Sequence, residues 1–177
     1  MGQKLKITKI EAARAQLKTA IELWFHDGDP VSIHTLACAS HQIINDINAI
    51  TADGNLIFDS TVINDNKRKD WIKRIKADCN FFKHANNDAT NIIEFDINTS
   101  EFYFMFSLKG LMNIGVVGNV AETAYFKWFM LHNPELVTEL GNEHIIKSTP
   151  VDISEVKQFT RKEFFEAFCI AYARVNP

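Results

Sequence analysis

No Cys-x-x-Cys pair occurs in this chain, and its three cysteines, Cys38, Cys79 and Cys169, lie far apart. That spacing argues against a structural zinc site, and an odd, scattered set argues against a disulfide framework. A reducing, cytoplasmic setting is the expectation that follows. Long apolar runs are missing too. The most hydrophobic stretch, residues 102–120, is interrupted by Lys109, Asn113 and glycines at 110, 115 and 118, so no membrane span is expected. The opening residues MGQKLKITKI hold no apolar segment of signal-peptide length. They also lack the Ser or Thr that a myristoylation signal places after Met-Gly. Neither sign of charge dominates. A net charge of −3 excludes steering of the whole protein toward nucleic acid, so any basic function must be local. Glycine-rich phosphate cradles, a Gly-x-Ser-x-Gly elbow and a His-Glu-x-x-His pair are all absent.

What is present describes one domain, residues 1–177, with 46% hydrophobic residues and fourteen Phe to fill an aromatic core. The periodicity predicts an all-α bundle of five or six helices with an N-terminal antiparallel helical hairpin. Thr8 and Glu11 form a Thr-x-x-Glu capping box, with Ile7 placed for a hydrophobic staple. Ala13, Leu17, Ala20, Ile21 and Trp24 then recur at helical spacing. HDGDP ends that helix, and Asp29 and Pro30 open the second, over about 30–50. Residues 51–66 read as a loop, and a third helix follows over about 66–84, with Trp71, Ile75, Cys79 and Phe82 as its apolar stripe. NIIEFDI suits one short strand. A fourth helix, from Thr99 or Ser100, is apolar almost all round and is expected to be central. A fifth spans about 119–132. Residues 134–159 read as irregular, with a helical turn at 135–140 and another near Ser154. Thr160 and Glu163 cap the last helix.

Residues 67–83 carry seven Lys or Arg against two Asp. Lys69, Lys73, Lys76, Asn80 and Lys83 follow one another at spacings of four, three, four and three, which puts them on one face of a continuous helix. A row of ammonium groups can follow a phosphate backbone, although a charge run is commonly just a solvated face. The row ends in CNFFKHA, residues 79–85. That heptad resembles the motif that closes the active site of HEPN domains, small helical bundles of which many are ribonucleases. The family's signature is an Arg, commonly followed by Asn, then a His after four to six residues. Asn80 and His84 match the Asn and the His, while Cys79 stands where the Arg belongs. The resemblance implies His84 as proton shuttle, Lys83 as electrostatic partner of a phosphate and Asn80 as positioning group. A degenerate or divergent ribonuclease that binds RNA or a nucleotide is the function it implies. Whether the chain is an enzyme stays open, because Cys79 is not a fixed cation.

The second helix has two faces. Ile33, Leu36, Ala37, Ser40, Ile44 and Ile47 form one, and His34, Cys38, His41, Asn45 and Asn48 the other. His34 and His41 are two turns, about 10 Å, apart along the axis, too far to share one ion easily. His34 with Cys38, or Cys38 with His41, is geometrically easier, but no metal and no cofactor is expected. Packed beside the third helix, His34, His41 and Asn45 would share a ligand groove with His84. Two further readings stay open: a helical protein–protein interaction module, as a homodimer or with another protein, and a bundle that binds a metal or small molecule.

Overall fold

The computed structural model describes residues 4–51, 65–86, 88–136, 138–152, 156 and 158–175. Among them the chain is all-helical: α1 (Lys9–Phe25), α2 (Pro30–Thr51), α3 (Asp65–Ile75), α4 (Ala77–Phe81), α5 (Thr99–Asn113), α6 (Val120–His132), α7 (Glu139–Lys147) and α8 (Arg161–Val175), with a 3-10 turn at Pro134–Leu136. Two helices exceed the expected six. The third divides into α3 and α4, and α7 occupies a segment that reads as irregular. Residues 91–96 have no regular structure where a strand is expected. Most of the loop at 51–66 and the turn near Ser154 fall outside the described residues. No helix among the described residues is long and apolar enough to cross a membrane.

Side-chain caps set where the helices begin. Thr8 Oγ1 accepts from the Glu11 amide at 3.3 Å while Glu11 Oε2 accepts from the Thr8 amide at 2.8 Å. Asn119 with Glu122, and Thr160 with Glu163, repeat the reciprocal bond at α6 and α8. Asp29 Oδ1 accepts from the Ser32 amide at 2.7 Å and opens α2. Ile7, placed for a staple, stays largely exposed. After α5 the chain turns at Gly115, whose φ of 73° suits a residue without a Cβ.

The aromatic core lies where α1, α5, α6 and α8 meet. Phe25 is fully buried and stacks on Phe165 with ring centroids 4.5 Å apart, and Trp24 stands edge-on to it at 5.1 Å. Tyr125 bridges Trp24 and Phe104 at 5.2 and 5.0 Å. Arg14 of α1 reaches the buried Glu122 carboxylate of α6 at 3.1 Å, and the same carboxylate completes the α6 cap.

Helix α2 packs most extensively against α1 and α5. The surface it turns to α5 is its polar one. His34 meets Ser100, His41 lies beside the Tyr103 ring at 5.3 Å, and Asn48 donates to the Gly110 carbonyl at 3.0 Å. Ser100, Tyr103, Ser107 and Gly110 are spaced three, four and three, the complement of the α2 spacing. Helix α5 is therefore less central than its composition predicts: Phe102 and Met112 remain 54% and 66% exposed on its far side.

Truncating Phe25 to Ala removes a ring in contact with three helices and should destabilise the fold by about 3–5 kcal/mol. Urea unfolding followed by circular dichroism reads this directly. A loss below about 1 kcal/mol would mean that the α1–α8 aromatic contact does not hold the bundle together.

Candidate functional site

The corner formed by α3, α4 and residues 82–96 carries the CNFFKHA motif. Helices α3 and α4 are nearly collinear in sequence but separate at Lys76, whose ψ is −5°. The cause lies in α5. Tyr103 donates its hydroxyl to the Ile75 carbonyl at 2.7 Å, and that carbonyl is the one a continuous helix offers to the Cys79 amide. A side chain inserted into the i→i−4 ladder is a recognised origin of helix breaks. Beyond it, Asn80 accepts from the amides of Lys83 and His84 through its backbone carbonyl at 3.2 and 3.0 Å, which closes the turn that presents His84.

Asn80 and His84 are both exposed and line one groove of about 400 Å³. Its other walls include Asp78, Phe81, Asn86, Asp88 and Asn91. Burial, and after it the Asp96 charge, hold the Asp78 carboxyl above its ordinary value. Lys83 is exposed just outside the groove, and partial desolvation, then the Lys76 charge, lower its pKa. Lys69 and Lys73 are exposed on α3. Lys76 is not an outward cation of the same row: it is half-buried and donates to Gln42 Oε1 of α2 at 2.9 Å. The break and this hydrogen bond interrupt the continuous basic face expected from spacing alone.

His34, His41 and Asn45 do not share a groove with His84. All three are buried in the α2–α5 seam. His34 bonds Ser100 Oγ through Nδ1 at 3.1 Å and turns Nε2 toward Cys79 Sγ at 3.5 Å. Phe82, Phe95 and Tyr103 surround its ring at 5.8, 4.8 and 5.4 Å. Desolvation, and then the Lys83 charge, depress its pKa to about 4. Desolvation followed by Lys76 takes His41 to about 3.

Cysteine pairing is the other correction. Cys38 of α2 and Cys79 of α4 form a disulfide, with Cα atoms 6.2 Å apart, and Cys169 is free. Each partner lies on the inward stripe of its own helix, but separation by 41 residues gives no local signal of the pairing. The motif position that the HEPN signature gives to Arg thus holds a buried sulfur. Sequence reasoning also passed over Ser100, Asp78, Asp88 and Asn91, polar residues with no motif spacing that acquire neighbours only through the fold.

Both buried imidazoles are neutral in the folded protein at pH 7, whereas the unfolded chain protonates them near 6.5. Below that pH the unfolded state binds more protons. Stability complete above about pH 6.5 should therefore fall as pH drops toward 4, by about 1.4 kcal/mol per pH unit for each histidine. Urea unfolding between about pH 7 and pH 5 measures the slope, and His34→Gln should lower it by about half. A slope unchanged by that substitution would remove His34 as its source.

No protein-family model matches this chain, and no curated protein or solved structure matches it.

Proposed function

We propose that this domain binds single-stranded RNA or a nucleotide in the groove beside α4, without cleaving it. The observation that carries the reading is that Asn80 and His84 share the exposed wall of one groove, while Cys79 points inward and is held by Cys38. The pair that resembles the HEPN motif is therefore accessible, but its cation is missing. Nucleobases present flat faces and amino edges. Phe81 and His84 offer ring surfaces for stacking, and the amides and carboxylates of Asn80, Asn86, Asn91, Asp78 and Asp88 offer acceptors for base amino groups. Those carboxylates repel phosphate, so the backbone would pass outside the groove, over Lys83 and the exposed Lys69 and Lys73. In this arrangement His84 stacks or donates a hydrogen bond, and Lys83 supplies the phosphate contact.

A second reading, a protein–protein interaction module, is favoured by a separate apolar groove of about 520 Å³ formed by Phe102, Met105, Phe106, Phe129 and Leu136. It shares no residue with the His84 groove.

Fluorescence anisotropy with short labelled oligonucleotides tests the RNA reading. Oligo(A) and oligo(C), which carry exocyclic amino groups, should bind more tightly than oligo(U). Binding should weaken steeply with salt. Lys69→Glu with Lys73→Glu should lower affinity at least about tenfold and flatten the salt dependence. His84→Ala should cost about tenfold through lost stacking, with no cleavage product from either protein. Failure of all three oligonucleotides to bind, or wild-type affinity in both variants, would overturn the reading.

A further inference from the structure

We infer that His34, Cys38 and Cys79 form a buried site for one thiophilic d10 cation, Zn2+ or Cu+, once the Cys38–Cys79 disulfide is reduced. Each residue offers one ligand atom, and all three atoms lie within 4.8 Å of one another. Bonds of about 2.0–2.3 Å to a single ion place ligand atoms roughly 3.5–4 Å apart, so reduction must let the two bonded sulfurs part to admit the ion, while His34 Nε2 already lies 3.5 Å from Cys79 Sγ. His34 and Cys38 come from successive turns of α2, and Cys79 comes from α4. Two sulfurs and an imidazole select soft ions and disfavour Mg2+ and Ca2+.

The surroundings of His34 are those of a ligand. Its Nδ1 is held by Ser100 Oγ, which fixes the ring and leaves Nε2 facing the sulfurs. An outer partner on the second ring nitrogen is the usual companion of a metal-binding histidine. Desolvation keeps the imidazole neutral at physiological pH, the form that coordinates. Charge balance also fits. Two buried thiolates beside Zn2+ carry no net charge. Beside Cu+ they leave one negative charge, within the field that Lys83 exerts on His34.

The chemistry balances with a dithiol as reductant. Its two electrons break the S–S bond, its two protons pass to Cys38 and Cys79, and it closes to a cyclic disulfide. The ion then displaces both thiol protons to solvent as two metal–sulfur bonds form. Neither Asn80 nor His84 contributes a ligand, so metal binding and oligonucleotide binding are read out separately.

The test uses the full chain in a Cys169→Ser background, reduced with dithiothreitol and desalted without oxygen. Zn2+ and Cu+ are titrated in competition with chromophoric chelators, and Co2+ serves as a spectroscopic stand-in for Zn2+. One equivalent should bind to the reduced protein and none to protein with the disulfide intact. Co2+ should give thiolate-to-metal charge-transfer absorption. Cys38→Ser with Cys79→Ser should abolish binding. Ser100→Ala, which spares every ligand, should weaken it about ten- to a hundredfold. If the double variant misfolds, the redox comparison and Ser100→Ala decide. A reduced, helical protein that binds none of the three ions would overturn the inference. So would undiminished binding in the folded double variant, or loss of helical circular dichroism on reduction.

Discussion

Helix α2 buries His34, Cys38, His41, Asn45 and Asn48 against α5. A buried polar group without a partner costs about 1–3 kcal/mol, so the hydrogen bonds that this seam does make favour one register. Ser100 meets His34, and the Gly110 carbonyl meets Asn48, which also accepts from Asn113 at 3.2 Å. Both termini of the contact are thus pinned by hydrogen bonds. Sliding α5 by one residue would carry Ser100 and Gly110 off the facing row and leave both imidazoles without their Tyr103 contact. The register of α2 on α5 is the constraint that positions everything at the α4 corner.

Tyr103 transmits that register outward. Its ring lies between His34 and His41, and its hydroxyl ends α3 by taking the Ile75 carbonyl. Burial, and after it the Asp78 charge, push its phenol pKa above the ordinary tyrosine value, so the hydroxyl keeps its proton and stays a hydrogen-bond donor. Lys76 is drawn back to Gln42, and Cys79 to Cys38. Three residues within five positions of the α3–α4 segment, Ile75, Lys76 and Cys79, are therefore tied to α2 or α5. The wall that presents Asn80 and His84 is fastened on its opposite side, and the groove inherits its shape from contacts that no ligand would touch.

Those ties explain which parts of the molecule were legible in sequence. Capping boxes at Thr8 and Thr160 mark helix starts correctly, since a cap is a local bond among residues three apart. The stripe from Ala13 to Trp24 locates the α1 core for the same reason. The polar face of α2 was equally visible, but its direction was not. Spacing groups His34, His41 and Asn45 on one polar face and suggests a groove shared with His84, whereas the matching Ser and Gly spacing of α5 draws them into the seam. Continuity of the third helix failed similarly, because the residue that interrupts it lies 28 positions away. The exposure of Asn80 and His84 was legible, since it needs only that Cys79 point inward on the apolar stripe.

Cys79 joins the two proposals physically. An arginine at that position would have to bring a guanidinium into a pocket bounded by His34, Tyr103 and Cys38, where desolvating a fixed charge is prohibitive. Sulfur is small and carries no fixed charge there, and as a disulfide it keeps α4 against α2. A buried sulfur at this position thus places an anchor behind the groove and no charge in it. What remains on the exposed side, an imidazole, a phenyl ring and a set of amides, can hold a base, but it lacks a fixed positive charge to stabilise a phosphorane. On the proposed reading such a groove binds a base, and the Cys38–Cys79 disulfide behind it is the part that a change of redox state would reach.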